Sequence, residues 1–316
     1  MGPFGHKRWC HELVVKKGGN VGIGSTGPGQ RLSVAGTIES TSGGVKFPDG
    51  TVQTSAAVAP VAPSSIAGLV LWLDASSASS RFQDSGLTTA AAADGDPVGG
   101  WKDLSGNSYS FLQSTSVYRP VLKLSVQNSL PAIRFTAASN QYLAGPAALP
   151  NTYFTNSLTY TGYVVFKQTA TSTFQSLFSW NQYAANASYS VLSDRYTGTG
   201  CGSVESSIFS RVNASGSGTN PCYTTTLGTT VAIHFFRWDG ANIETRLNGV
   251  SAYQADATAA YASLDTITLG GLVRTGNPTG AFFFGGDVYE IGAYSRALTH
   301  TEIGKIEAYL INKWGL

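Results

Sequence analysis

The sequence predicts an all-β sandwich closed by a short C-terminal helix, and three observations carry that reading. From residue 66 onward, strand-length runs recur between clusters of Gly, Asn, Asp and Ser. Only 12% of residues are charged, against about a quarter in an ordinary domain, while small hydroxyl-bearing and aromatic residues abound. The chain ends in a strand followed by a helix with a capping signature: Thr299 precedes Glu302 by three residues. At 316 residues the chain has room for one or two domains. No window of about 18 apolar residues exists, so no transmembrane helix is expected.

Residues 1–18 read as a basic, aromatic arm. Phe4 and Trp9 are its candidate anchors and Lys7 and Arg8 its candidate rim, with Lys16 and Lys17 further on. No apolar stretch follows the basic residues, so no secretory signal is expected, and position six is His6 rather than the Ser or Thr of a myristoylation signal. His6, Cys10 and His11 make three ligands at a spacing unlike a closed zinc site. The overall formal charge of +2 gives nucleic-acid binding no electrostatic support.

Residues 19–55 alternate in short strands, Arg31–Ala35 and Val45–Phe47 among them, each ended by Gly, Pro or Asp-Gly. Strands this short have too few apolar side chains to bury a core alone, so several copies wrapped about one axis are expected. Gly22, Gly24 and Gly27 match a dinucleotide-loop spacing, but Pro28 and a β-type run follow where a helix is required. Residues 56–65, with Pro60 and Pro63 among small residues, read as a semi-extended linker.

Residues 66–316 read as the head. Its expected strands are Leu69–Leu73, Ala132–Phe135, Tyr160–Lys167, Gln175–Trp180, Tyr189–Ser193, Ser207–Val212, Thr230–Trp238, Asn242–Leu247, Thr266–Gly270 and Asp287–Tyr294. Asn248-Gly249 is a hairpin signal. Simple alternation in the last strand places Val288, Glu290 and Gly292 on one face and Tyr289, Ile291 and Ala293 on the other. The helix that follows, with Ile303, Ile306, Tyr309, Leu310 and Lys313 at helical spacing, is expected on the sheet edge.

Two resemblances add to this reading. Gly286, Val288, Glu290, Ile291, Tyr294, Arg296 and Leu298 match the last-strand pattern of the concanavalin A-like, laminin-G-like jelly-roll family. Gly68–Ala75, Trp101–Asn107, Pro131–Phe135, Arg237–Gly240 and Leu247–Gly249 follow in the family's order, so the resemblance covers about residues 66–316. It implies the fold and leaves function open, since lectins, enzymes and structural modules share it. Residues 19–55, with Asn20-Val-Gly-Ile-Gly24, Leu32-Ser-Val34 and Phe47-Pro-Asp-Gly-Thr51, resemble the stem module of phage tail fibres and other trimeric fibres. That resemblance implies a homotrimer, an arm docked to other virion proteins, and a place on the surface of a virion.

Catalytic signals are sparse. Asp287 and Glu290, three apart on a regular strand, are expected on opposite faces and unable to work as a glycosidase pair, and no Gly-x-Ser-x-Gly elbow occurs. An enzyme is not expected. His234, within an apolar strand, reads as a core histidine. Asp74, Asp103 and Asn107 lie at strand ends, where turn chemistry is favoured over calcium; no other cofactor is expected. Cys201 and Cys222 flank a polar excursion and are an expected disulfide, with Cys10 left over. The expected glycan or receptor site is Trp180, Asn181, Tyr183, Arg195, Tyr196 and Tyr223, with Trp180 and Tyr183 as the exposed pair. The expected function is therefore a phage fibre or spike whose sandwich head binds host surface polysaccharide. The alternatives are a capsid-decorating fibre without a receptor and a carbohydrate-binding module of a bacterial adhesin.

Overall fold

The computed structural model describes residues 13–35, 38–39, 42, 45–46, 52–53, 59–154, 159–169, 175–183, 188–193, 207–212, 218–219, 229–255, 264–274 and 277–316. Two compact units divide the chain, 1–57 and 58–316. In the first, Leu13–Val15 pairs antiparallel with Val21–Ile23, which pairs parallel with Leu32–Val34, while Val45–Lys46 and Val52–Gln53 form a separate pair. Its apolar side chains are poorly covered: Leu13, Val15, Ile23, Leu32, Ile38 and Val45 are all exposed.

The second unit is a β-sandwich of an eight-stranded and a nine-stranded sheet. The first contains Val121–Gln127, Leu130–Phe135, Gly286–Tyr294, Tyr160–Gln168, Ala232–Trp238, Asn242–Leu247 and Val250–Ala255 in that order, and Leu69–Asp74 also pairs with Gly286–Tyr294. The second runs Gly218–Thr219, Ser207–Val212, Ser188–Ser193, Gln175–Asn181, Thr266–Leu269, Leu143–Ala144, Phe111–Leu112, Gly100–Trp101 and Arg81–Phe82. Apolar side chains of both sheets fill the space between, among them Trp101, Phe111, Phe178, Phe236 and Ile291. Residues at the end of the Pro/Ala stretch lie on this unit: the Val61 amide donates to Lys305 O, and the Tyr294 hydroxyl donates to Pro63 O at 3.0 Å.

The last strand, Gly286–Tyr294, is buried at all nine positions, because three strands pair with it. Its alternation departs from the regular pattern. Val165 pairs with Glu290 and Phe166 with Val288, so Tyr289 is an extra residue in a β-bulge. Beyond the bulge the faces exchange: Val288, Ile291 and Ala293 enter the core between the sheets, whereas Tyr289 and Glu290 both face the C-terminal helix. Asp287 therefore shares a face with Glu290, contrary to simple alternation. The two still do not form a pair, since Asp287 takes the fork of Arg134 at 2.6 and 2.8 Å.

The helix His300–Trp314 begins with a complete capping box between Thr299 and Glu302 and ends at Gly315 in the left-handed conformation. It lies on the face of the eight-stranded sheet rather than on its edge. Ile303, Ile306, Leu310 and Trp314 pack on Tyr163, Val165, Phe235 and Tyr289, because a stripe this wide needs a whole sheet face to cover it. Beneath the helix, Lys313 Nζ donates to Asp74 Oδ2 at 2.7 Å and to Glu290 Oε2 at 2.6 Å. Trp72 Nε1, Tyr163 Oη and Trp314 Nε1 donate to the remaining Glu290 lone pairs. Burial pushes the Glu290 carboxyl up, opposed by Lys313. Burial also works against the Lys313 charge, yet Glu290 and Asp74 together lift it above its ordinary value.

His234 faces the core between the sheets, fully buried, with Nε2 against the Thr245 hydroxyl. Burial lowers its pKa from 6.5 to about 3. Among the described residues no helix is long and apolar enough to cross a membrane.

Two outcomes are expected. Replacing Lys313 by Met leaves Glu290 and Asp74 facing each other without their cation, and should cost about 3–5 kcal/mol in urea denaturation. Between pH 6.5 and about 3 the unfolded chain carries a proton on His234 that the folded chain refuses. Stability should therefore fall as pH drops through that window, by up to ~1.4 kcal/mol per pH unit from this residue. Urea midpoints measured from pH 7 to pH 4 should show a shallower decline in His234→Gln, and identical slopes would contradict the assignment.

Candidate functional site

The nine-stranded sheet presents one residue per strand to each face, and its registers define the outer row. Ser179 pairs with Thr268, Thr268 with Ala144, Ala144 with Leu112, Leu112 with Gly100, and Gly100 with Phe82. The neighbouring row, Phe178, Leu269, Leu143, Phe111 and Trp101, points into the core and is wholly buried. In the outer row Ser179, Thr268, Ala144 and Gly100 are small or polar, with Leu112 and Phe82 the larger apolar members. Half of it is roofed. Gly270, at φ 86°, turns the chain back over the sheet, and Gly271 O accepts from the Ser179 and Thr268 hydroxyls at 3.1 and 2.6 Å. Asn181 Nδ2 donates to Val273 O at 2.7 Å, which holds the strand Leu272–Arg274 in place.

The other half stays open as a pocket of about 350 Å³, lined by Ser85, Leu112, Gln113, Ser114, Tyr142 and Ala144. Three half-buried rings form an aromatic row at its side. Tyr118 and Tyr142 have centroids 6.2 Å apart at 32°, and Tyr142 and Phe283 lie 6.3 Å apart at 37°. Arg119 braces the neighbouring loops: Nε donates to Gln113 O, Nη1 to Gln83 O and Nη2 to Ser114 O, at 2.9–3.0 Å. Gln113 is itself fixed, donating to Tyr142 O and accepting from the Thr115 amide, both at 3.0 Å. Leu87 closes the far end over Gly100, where a Cβ would lie 2.3 Å from Leu87 Cδ2. Flat aromatic faces beside fixed amide and hydroxyl groups suit a hydroxyl-rich ligand that also carries apolar C–H faces.

A larger cavity, about 570 Å³, lies beside the C-terminal helix among Lys167, Val231, Ile233, Asn248, Glu307 and Ile311. Among the described residues no aromatic ring lines it.

The expected site residues fall in different places. Trp180 is not at the surface: it is 0% exposed and packs against Phe154, Tyr160, Phe178 and Phe236 at 5.1–5.8 Å. The strand extends through Asn181, so Trp180 falls on its inward face. Asn181 is buried beneath Val273. Tyr183 is 38% exposed, with its amide held by Asp265. Arg195, Tyr196, Tyr223, Cys201 and Cys222 lie outside the described residues, as do Phe4, Lys7, Arg8 and Trp9 of the arm and its His6, Cys10 and His11.

The three loop residues considered for calcium are engaged by protein groups. Asp74 accepts from Lys313 and from Ser76, while Asp103 accepts from the Trp72, Ser105 and Tyr109 amides. Asn107 Nδ2 donates to Val70 O. Among the described residues no group of three or more His, Cys, Asp or Glu is placed to hold a metal ion. The sequence reading missed Tyr118, Tyr142 and Phe283. They are 24 and 141 residues apart and lie between strands: Tyr118 ends a helical turn and its carbonyl accepts from the Tyr142 amide, and Phe283 is bridged to Ser176.

No protein-family model matches the chain, and no curated protein matches it. Solved structures do. Domain 4 of AbnA, a GH43 extracellular arabinanase from Geobacillus stearothermophilus solved with arabinotriose, is 14% identical, with a TM-score of 0.51 over 76% of this chain and 98% of that one. The CBM40 of the Ruminococcus gnavus IT-sialidase is 15% identical, with a TM-score of 0.39 over 48% of this chain and 83% of that one. A leech intramolecular trans-sialidase is 18% identical, with a TM-score of 0.40 over 48% of this chain; the match spans 23% of the leech enzyme's length. At these identities the likeness is one of fold, and the fold is a β-sandwich.

Proposed function

We propose that residues 58–316 are a non-catalytic carbohydrate-binding head whose ligand surface is the open half of the nine-stranded sheet. The observation that carries this is Tyr142, which lines the pocket beside the Ala144–Leu112 floor and is the middle ring of the row Tyr118, Tyr142 and Phe283. The similar arabinanase domain, solved with arabinotriose, supports a sugar as ligand for this sandwich. The carboxylates of the last strand support binding without cleavage, since Asp287 is committed to Arg134 and Glu290 to Lys313 under the helix.

A second reading concerns how the head is presented. The fibre-like pattern of residues 19–55, together with six exposed apolar side chains on strands of two to three residues or beside them, favours a stem that gathers three chains. On this reading the protein is a virion fibre, its basic arm seated on other virion proteins and its three heads gaining avidity on a host polysaccharide. The adhesin-module reading shares the head and differs only in the stem's role.

Binding to a neutral polysaccharide should weaken about tenfold or more in Tyr142→Ala, a loss of at least ~1.4 kcal/mol, with the melting curve nearly unchanged. Trp180→Ala should instead cost about 3–5 kcal/mol of stability, as core truncations do. Equal binding by wild type and Tyr142→Ala would remove the site. Light scattering on the full chain should give three protomers, and deletion of residues 1–57 a monomer; a monomeric full chain at micromolar concentration would refute the stem.

A further inference from the structure

Resting on the carbohydrate reading above, we propose that the outer-face pocket takes the uncharged terminal portion of a glycan, one or two rings long, and not an acidic sugar or an extended internal stretch.

The electrostatic half of the argument starts from the lining. Ser85, Leu112, Gln113, Ser114, Tyr142 and Ala144 include no charged side chain. The cation beside them, Arg119, is not in that lining, and its Nε, Nη1 and Nη2 each already donate to a backbone carbonyl, so a carboxylate would have to compete with bonds that hold the loops. The adjacent anion is spent in the same way: Asp84 accepts from the Thr88 and Thr89 amides and from the Thr88 hydroxyl. Those bonds, led by that from the Thr89 amide, hold its carboxyl below the usual range, so it stays an ionised structural group. An acidic sugar entering here would lose water from its carboxylate, find no charged side chain among the described lining residues and stand near the ionised Asp84, which is costly. A neutral ring loses only hydroxyl hydration, which the Ser85, Ser114 and Tyr142 hydroxyls of the lining can replace.

The steric half concerns length. Across the strands the open floor is bounded on one side by the roof over Ser179 and Thr268, and on the other by Leu87 over Gly100. Thr268 and Gly100 are three inter-strand spacings apart, about 14 Å at ~4.8 Å each. Once the side chains at both ends are subtracted, what remains accommodates one or two sugar rings. A long chain lying across the sheet would have to displace the roof or Leu87. Of the aromatic row only Tyr142 lines the pocket, so a single ring is offered there for stacking.

The test uses the full chain and calorimetric titration with defined probes. Neutral linear arabino-, galacto- and malto-oligosaccharides of one to six residues are compared with N-acetylneuraminic acid and galacturonic acid, each against wild type and Tyr142→Ala. At least one neutral series should bind in a Tyr142-dependent manner. Its affinity should level off at the disaccharide, change less than about threefold on further lengthening, and hold between 50 and 500 mM salt. Acidic sugars should bind at least tenfold more weakly. Tyr142-dependent binding of an acidic sugar at equal or higher affinity, or an affinity that keeps rising to the hexamer, would overturn this proposal and leave the carbohydrate reading standing. No Tyr142-dependent binding of any probe would overturn both.

Discussion

The buried ion cluster of Lys313 with Asp74 and Glu290 is the constraint on which the head depends. It joins the first strand, the last strand and the last turn of the terminal helix, which are more than 200 residues apart in sequence at their extremes. Two carboxylates in an apolar layer are tolerable only with a cation between them and further donors; Trp72, Tyr163 and Trp314 donate to Glu290, and the Ser76 amide and hydroxyl donate to Asp74. Meeting this demand fixes the helix on the sheet. It also requires the bulge at Tyr289, without which Glu290 would point into the core between the sheets. Gly292 belongs to the same arrangement: a Cβ there would lie 2.2 Å from the Tyr163 ring that reaches Glu290.

Placing the helix on one sheet decides which surface remains for a ligand. The eight-stranded sheet has its outer face covered by Ile303, Ile306, Leu310 and Trp314. Among the described residues, the outer face of the nine-stranded sheet is covered in part, by the turn at Gly270 and the strand after it. Small residues at Ala144 and Gly100 leave depth on the uncovered part, and the loops that Arg119 ties together give it walls. The proposed ligand surface and the helix packing are in this sense complementary uses of the two outer faces of one sandwich.

The sequence made the architecture readable to a useful depth. The strand Ser207–Val212 and the strand Asn242–Leu247 stand where apolar alternation and turn residues put them, and the capping box at Thr299 opens the helix as expected. Local patterns of this kind are set by backbone sterics and nearest neighbours, which a single sequence records. What could not be read depends on distant partners. The bulge at Tyr289 answers to Lys313 and the packing of the helix, and no local residue pattern marks it. Trp180 looked like a strand-end aromatic free to stack, but one further strand residue, Asn181, and four aromatic neighbours place it in the core. Tyr118, Tyr142 and Phe283 gave no signal together because loops distant in sequence, not a local pattern, make them adjacent.

The central claim is that the open half of the nine-stranded sheet is the ligand surface. Chemical-shift mapping of the isotopically labelled chain, titrated with a neutral oligosaccharide, tests it most directly. The account predicts perturbations concentrated at Ser85, Leu112, Gln113, Tyr118, Tyr142, Ala144 and Phe283, with Lys167, Asn248 and Ile311 unmoved. Saturable shifts confined to the cavity beside the C-terminal helix, with the aromatic row silent, would contradict it.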